Sequence, residues 1–206
     1  MRNIKKTEVP DYWIKLRKKK PQLTFSELEP DFKKEKIQLK DNMLKNEQFY
    51  ICCYCCKRID EKHSHIEHFR SRNHFPNLDM EYTNMLISCT DNTCGMKKGS
   101  NDFPDALSYS DWAHRFIYSI DGRIDPFEDD PVAQKAIDIL NLNENSLVNI
   151  RREVYDECIR YSKWMGKDYV KETYIDLQDG MLPRFAPMIE YFYNLGHFDN
   201  DVVVLT

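Results

Sequence analysis

Apolar positions along the chain change their spacing near residue 50 and again near residue 130. From Pro30 to about Glu47, Phe32, Leu39, Met43 and Leu44 mark one face of a helix. From Tyr50 the pattern breaks into short β-like pieces. His65–Phe69 and Met85–Cys89 read as two short strands, and a short helix is expected after Cys94. Phe116–Ile120 and Arg123-Ile124 flank Asp121-Gly122, the favoured pair for a type I′ hairpin turn. The remainder reads as helix. Pro131–Leu140 starts with Pro at a helix-opening position. Asn145–Met165 places Leu147, Ile150, Val154, Cys158 and Tyr161 three or four residues apart, a buried stripe. Further helices are expected within Asp168–Gln178 and Ala186–Leu195. These stripes read as core or partner-packing surface rather than cofactor sites. The fold class expected is α+β, mostly helical. Three parts are expected: an N-terminal basic arm and helix (1–49), a cysteine-rich core (50–104), and a hairpin and helical region (105–206).

Composition narrows the class. Hydrophobic residues make up 41% of the 206, enough for a globular core and far from a disordered chain. No run of 18 apolar residues exists, so no membrane span is expected. Met1 to Lys20 is basic but lacks an apolar stretch of signal-peptide length, which places the expected site of action in the cytosol. The net charge of −4 argues against a protein that grips nucleic acid over its whole surface. The charge is uneven, however. Residues 1–120 carry 21 Lys and Arg against 17 Asp and Glu, and residues 121–206 carry 9 against 17. Nucleic-acid contact is therefore expected from the first part, and scaffold or docking surface from the second. The basic run Lys15 to Lys20 reads first as a solvated terminus and second as a phosphate-contacting arm.

Six of the seven cysteines fall between Cys52 and Cys94. In a reducing compartment, such clustering points to metal ligands rather than disulfides. Cys52-Cys53-Tyr54-Cys55-Cys56 offers two overlapping CxxC pairs, and Cys89 and Cys94 supply a second pair. Two such pairs can close four thiolates around one structural Zn²⁺, leaving no open position for water. Cys52 and Cys55 are favoured over Cys53 and Cys56 as the first pair. Cys158 stands alone in a helical apolar pattern, as a small buried hydrophobe.

Between the cysteine pairs lies His63-Ser64-His65-Ile66-Glu67-His68-Phe69, followed by Asn84-Met85-Leu86-Ile87-Ser88-Cys89 and Cys94-Gly95-Met96-Lys97-Lys98-Gly99. This arrangement resembles HNH endonucleases: an acidic residue and a His on a first strand, an Asn opening a second, then a Lys-containing helix. The closer resemblance is to the HNH nuclease subunit of Septu and retron-associated anti-phage systems. It rests on Asn46-Glu47-Gln48 before Cys52-Cys53-Tyr54-Cys55, on Ile66-Glu67-His68-Phe69-Arg70, on Asn84-Met85-Leu86 and Ser88-Cys89, and on Cys94-Gly95 leading to Lys98-Gly99. Ile139-Leu140-Asn141-Leu142-Asn143, with Leu147 and Arg151, resembles the family's helical tail. The resemblance implies a zinc-framed ββα-metal core with helical flanks. It also implies an ABC/SMC-like ATPase partner and, in some systems, a retron reverse transcriptase with its RNA–DNA product.

Phosphodiester hydrolysis needs an activated water, positive charge for the developing anion, and stabilisation of the leaving group. His68 suits the general base, since its ordinary pKa lies near neutrality. Neighbouring side chains on a strand point to opposite faces, so Glu67 and His68 serve one site only if the strand bends there or the metal lies at its edge. The resemblance supplies that bent geometry, with Glu67 holding Mg²⁺ or Mn²⁺ through oxygen. Asn84 is expected to tie down the loop that presents His68. Lys98 and Arg70 are expected phosphate contacts, with Lys97 and Arg72 as alternatives. Gly95 occupies the position where many HNH proteins carry a second metal ligand. Asn92, Asn101 and Asp102 are possible replacements, and His65 is in reserve. His114 and His197 carry no motif.

The function expected is a metal-dependent endonuclease subunit acting on nucleic acid, with DNA favoured over RNA. The alternatives are a zinc-stabilised binding module without catalysis, and an RNA-cleaving toxin of the same metal chemistry.

Overall fold

A computed structural model describes residues 1–91 and 93–199. Helix α1 (Asp11–Lys19) opens with Asp11 in its first turn and ends in Arg17, Lys18 and Lys19, charges placed to suit its dipole. It buries Trp13 and Leu16. Helix α2 (Lys33–Asn46) buries Leu39, Met43 and Leu44, the face read from the sequence. Strands β1 (Ser64–His68) and β2 (Met85–Cys89) then pair antiparallel, with Glu67 opposite Leu86 and His68 opposite Met85. The four-residue helix α3 (Gly95–Lys98) follows.

A second antiparallel pair, β3 (Phe116–Tyr118) and β4 (Ile124–Pro126), forms the expected hairpin. Its turn differs from the expectation. A type I′ turn needs positive φ at both central residues. Here Gly122 alone is positive, at 93°, and Asp121 is not. Ser119 N–H donates to Arg123 O and Gly122 N–H to Ser119 O, which makes a three-residue loop with glycine in the left-handed position. Gly122 also seats the turn against the long helix α5. A Cβ there would lie 2.1 Å from Val148 O.

Helices α4 (Pro131–Leu140) and α5 (Asn145–Met165) have the bounds the pattern predicts. Asp130 caps α4 by accepting from Val132 N–H, and Asn141 ends it in the left-handed conformation. Helix α6 (Lys167–Tyr174) falls in the expected stretch, starting one residue earlier, and α7 (Ala186–Asn194) completes the set. Arg151 is fully buried in α5. Its guanidinium donates to Gly122 O at 2.6 Å and Leu142 O at 2.7 Å, fastening the hairpin turn to the α4–α5 connection.

One hydrophobic core links these elements. The first residues, within the stretch expected as a basic arm and helix, form a packed strap. Met1 and Ile4 are buried, Ile4 N–H donates to Tyr109 O, and Trp112 Nε1–H donates to Arg2 O at 2.6 Å. Lys6 reaches Glu47 at 2.6 Å and Met85 O at 2.9 Å, tying the strap to β2 beside His68's strand partner. The C-terminal part closes on the cysteine knuckle, with Phe185 N–H donating to Cys56 O and Leu182 N–H to Phe49 O. Among the described residues, no helix is long and apolar enough to cross a membrane.

Candidate active site

Cys52, Cys55, Cys89 and Cys94 converge. Their sulfurs all lie within 4.8 Å of one another, and all four residues are buried. Tetrahedral zinc with Zn–S of about 2.3 Å sets sulfurs roughly 3.8 Å apart, and Cys55 Sγ lies 4.0 Å from Cys89 Sγ. The donor set and spacing fit a metal such as zinc. Cys53 and Cys56 are buried but outside this cluster. Burial pushes the Cys52 thiol up, but hydrogen bonds with Cys53, Cys55, Cys89 and Cys94 outweigh it and hold Cys52 well below its ordinary value. That favours thiolate, the form a metal binds. Cys94 N–H donates to Leu140 O, so the end of α4 helps to frame the cluster.

Beside this frame a cleft of about 300 Å³ is lined by His65, Glu67, His68, Arg72, Gly95 and neighbouring residues. Glu67 and His68 thus face one space although they are adjacent on β1, because His68 is the strand's last residue and the chain turns after it. His68 is buried, and its Nε2 lies 2.8 Å from Asp79 O, with the Phe25 ring edge-on at 4.7 Å. A carbonyl only accepts, so Nε2 carries the proton and Nδ1 keeps the lone pair. Nδ1 makes no hydrogen bond among the described residues. Burial lowers the His68 pKa from 6.5, against the Asp79 carbonyl, which raises it; the neutral imidazole is the form favoured near neutrality.

Asn84 lies at the head of β2 and binds the backbone that follows His68. Its Oδ1 accepts from Arg70 N–H, and its Nδ2 donates to Arg70 O and Leu78 O at 3.0 and 3.2 Å. Phe69 N–H also donates to Asn84 O. The backbone leaving His68 is therefore pinned to the start of β2.

Lys98 does not lie where a phosphate contact requires. It is 1% exposed, and its ammonium sits 2.9 Å from His68 O and 3.1 Å from Glu67 Oε1. It braces Glu67 and His68 from within. Arg70 is turned away too, donating to Phe103 O and Asp105 O and pairing with Asp105 Oδ1 at 3.3 Å. Arg72 is the exposed cation at the cleft, and Lys97 is exposed nearby in sequence.

A side chain at position 95 has no room. A Cβ there would stand 2.7 Å from Ser88 Oγ and 3.1 Å from Glu67 Oε2. Asp102 is engaged elsewhere, accepting from Ser71 N–H at 2.6 Å and holding His74 Nδ1 at 2.5 Å. Asn101 donates to Lys98 O, and Asn92 lies outside the described residues. His65 is the candidate that the structure brings to Glu67, with Nε2 3.2 Å from Oε2. Their i, i+2 spacing puts them on one strand face, a relation legible in the sequence. A carboxylate and an imidazole suit a divalent cation, and the rest of its shell would be water and phosphate oxygen, the habit of Mg²⁺. Two contributors carry no motif. Asp79 acts through its backbone carbonyl, which leaves no mark on residue type. Tyr54, inside the cysteine knuckle, donates to Glu67 Oε1 at 3.4 Å.

No family model matches the chain. Among curated proteins, Septu protein PtuB of Bacillus thuringiensis is 31% identical over 102 residues, covering 45% of this chain and 37% of its relative. A candidate HNH endonuclease of retron Ec83 from Escherichia coli is 25% identical over 216 residues, covering 78% and 82%. Another, of retron Vc95 from Vibrio cholerae serotype O1 biovar El Tor, is 32% identical over 123 residues, covering 53% and 60%. The chain is similar to proteins named as Septu and retron HNH components. The expected resemblance to Septu and retron HNH proteins is borne out at 25–32% identity. Against the Septu protein and the Vc95 protein, the chain spans less than two thirds of the relative's length. The Ec83 match covers most of both chains, well beyond the cysteine-rich core.

Proposed function

We propose that this chain is a metal-dependent HNH endonuclease that cleaves phosphodiester bonds, with DNA as substrate, as the effector subunit of an anti-phage defence complex. The observation that carries it is the meeting of Glu67 and His68 in one cleft, with His68 held through Nε2 and its Nδ1 lone pair left for a proton. The succession β1, β2, α3 beside the four-cysteine cluster supports a zinc-framed ββα core. A water in the cleft attacks phosphorus while its proton passes to His68 Nδ1. The P–O bond to the leaving sugar oxygen breaks, and that oxygen takes up a proton from solvent. Glu67, with His65 beside it, is the residue to hold Mg²⁺ or Mn²⁺, which when bound supplies positive charge to the phosphate. Asn84 and Lys98 hold the two reacting side chains in register.

The partner implied by the family is an ABC/SMC-like ATPase, in some systems with a retron reverse transcriptase and its RNA–DNA product. The acidic exterior after residue 120 suits docking rather than nucleic-acid contact, so strong engagement of substrate is expected only in the complex.

The test is cleavage of DNA and RNA with added Mg²⁺ or Mn²⁺, with and without the ATPase, comparing wild type with His68→Ala. Cleavage lost in His68→Ala, by about 10²- to 10⁴-fold for a general base, upholds the reading. Cleavage of RNA alone moves the substrate to RNA. The crowding at Gly95, which leaves no room for a further side-chain ligand, favours one other reading: a zinc-stabilised binding module without catalysis. No cleavage under any cation, with the partner present, would uphold the module instead.

A further inference from the structure

Phosphodiester cleavage places one phosphate over His68, and the strand must continue on either side of it. A second cleft, of about 660 Å³, is lined in part by Asp79, whose carbonyl holds His68. Its rim carries Arg17, Lys18 and Lys20 from the end of α1, and its wall includes Gln22, Thr24 and Asp79. Asp79 lines this cleft and contacts two residues of the catalytic one. Its carbonyl holds His68 Nε2, and its carboxylate Oδ1 lies 3.8 Å from Nε of Arg72, which lines the catalytic cleft. Arg72 therefore lines the catalytic cleft and reaches toward a residue of the α1 cleft.

The three cations on this rim are not equivalent. Arg17 is paired with Glu81. Lys18 and Lys20 are exposed and make no ion pair among the described residues. The one acid in the wall, Asp79, is 9% exposed, and its Oδ2 accepts from Phe25 N–H at 2.6 Å, so it turns toward the protein. The floor is apolar, with Ile14, Leu23 and Met80 among its residues. Lysines beside apolar residues, joined through Asp79 to the proposed catalytic histidine, form a surface that suits a nucleic-acid strand: phosphates on the lysines, sugars against the apolar residues.

We propose that the α1 cleft is the track for the nucleic-acid backbone flanking the cut, with Lys18 and Lys20 as its phosphate contacts and Arg72 as the link to the catalytic centre. This rests on the nuclease reading and locates its substrate. It also replaces Lys98 and Arg70, whose cationic groups are engaged inside the fold, as the source of phosphate contacts. The chain's overall negative charge is then no obstacle, since the positive charge needed is local.

The experiment uses the full chain and a fluorescent DNA oligonucleotide, with binding followed by anisotropy across roughly 50 to 200 mM salt, and cleavage followed in the complex. The test variant is Lys18→Ala/Lys20→Ala. The control is Lys34→Ala/Lys45→Ala, an equal change in net charge at exposed positions of α2 that line neither cleft and lie outside the region assigned to docking. Two lost phosphate contacts should flatten the slope of log K against log salt by about 1.4 to 1.8. KM should rise with kcat largely kept, and the control should match wild type. If test and control variants share one slope and one KM, the track is wrong while the nuclease reading stands. If the wild-type complex neither binds nor cuts DNA or RNA, both fall together. Lys18→Arg/Lys20→Arg keeps the charge and should restore binding; failure to do so with normal folding would also overturn the assignment.

Discussion

Asn84 holds Arg70 by both of its backbone groups: Oδ1 accepts from Arg70 N–H at 2.8 Å, and Nδ2 donates to Arg70 O at 3.0 Å. Two residues past His68, the chain is thereby fixed to the head of β2. Asn84→Ala removes both bonds and the further donation to Leu78 O. Displacement of a reacting group by about 1 Å costs roughly 10²-fold in rate, so cleavage should fall to that degree. Stability should drop by about 1–3 kcal/mol from the polar groups left unpaired. Asn84→Asp keeps the acceptor and loses the donors, and should recover little. Wild-type cleavage in either variant would remove Asn84 from the site.

Lys98 separates a bracing role from a phosphate contact. Its ammonium lies between His68 O and Glu67 Oε1 and is sealed from solvent. Lys98→Met leaves the Glu67 carboxylate without this partner, a loss that in a buried pair costs about 3–5 kcal/mol. The melting temperature should fall and cleavage should be lost, while the salt slope of DNA binding stays at the wild-type value. A flattened slope with unchanged stability would return Lys98 to the phosphate.

The cysteines divide into two groups with opposite expected outcomes. The purified chain should carry about one zinc. Cys89→Ser or Cys94→Ser should release it and destabilise the fold, because metal affinity is bound to folding free energy. Cys53→Ser and Cys56→Ser lie outside the cluster and should retain the metal, at some cost from a buried hydroxyl. Elemental analysis of the four purified variants decides the matter. Zinc retained in Cys89→Ser and lost in Cys53→Ser would reverse the assignment.

What could be read from the sequence follows the reach of each interaction. The bounds of β2, α4 and α5 are set locally, by alternation, by Asp130 and Pro131, and by the left-handed Asn141, and the pattern predicts all of them. The choice within Cys52-Cys53-Tyr54-Cys55-Cys56 is weakly marked locally, since both pairs have the same spacing; their separation comes from where β2 places Cys89. The strap at residues 1–9 reads as an arm because its partners Glu47, Tyr109 and Trp112 are 40 to 110 residues away. Lys98 reads as a phosphate contact for the same reason: only the tertiary placement of α3 brings its ammonium to His68 O and Glu67. The turn at Asp121-Gly122 was legible in place but not in type, because the contact of Gly122 with Val148 is tertiary.

Asp130 links acid stability to the metal frame. Burial raises its carboxyl pKa, but N–H groups of Val132 and Ala133 and the Arg115 guanidinium outweigh burial and hold it below the ordinary 3.8. The unfolded chain therefore binds this proton more readily than the native state. The stabilisation is fully present above the ordinary value and is lost as pH falls through the depressed native one. Asp130→Ala should cost about 0.5–2 kcal/mol at neutral pH as a lost helix cap. In acid below the native value, wild type and variant should converge. Urea midpoints at the two pH values test this, and a gap that stays constant into acid would show that the carboxylate charge is not what stabilises α4.

Gly95 offers the sharpest test of how the cleft and the cysteine frame depend on each other. An added Cβ meets Ser88 Oγ at 2.7 Å, Ser88 Cβ at 3.0 Å and Glu67 Oε2 at 3.1 Å. Ser88 is fully buried, with Oγ 3.6 Å from Cys52 Sγ, so it has little space in which to withdraw. Gly95→Ala should therefore displace Glu67, Ser88 or both. Overpacking of this kind costs about 1–3 kcal/mol. Binding of Mn²⁺, followed by calorimetry on the zinc-loaded chain, should weaken together with cleavage, because the displaced carboxylate is the proposed cation ligand. Ser88→Ala removes the nearest atom, so the double variant should regain part of both stability and Mn²⁺ affinity over Gly95→Ala alone. A coupling energy beyond about 0.5 kcal/mol between the two substitutions is the expected sign of direct contact. If Gly95→Ala binds Mn²⁺ and cleaves as wild type does, the contact is not limiting, and a glycine at this position needs another explanation.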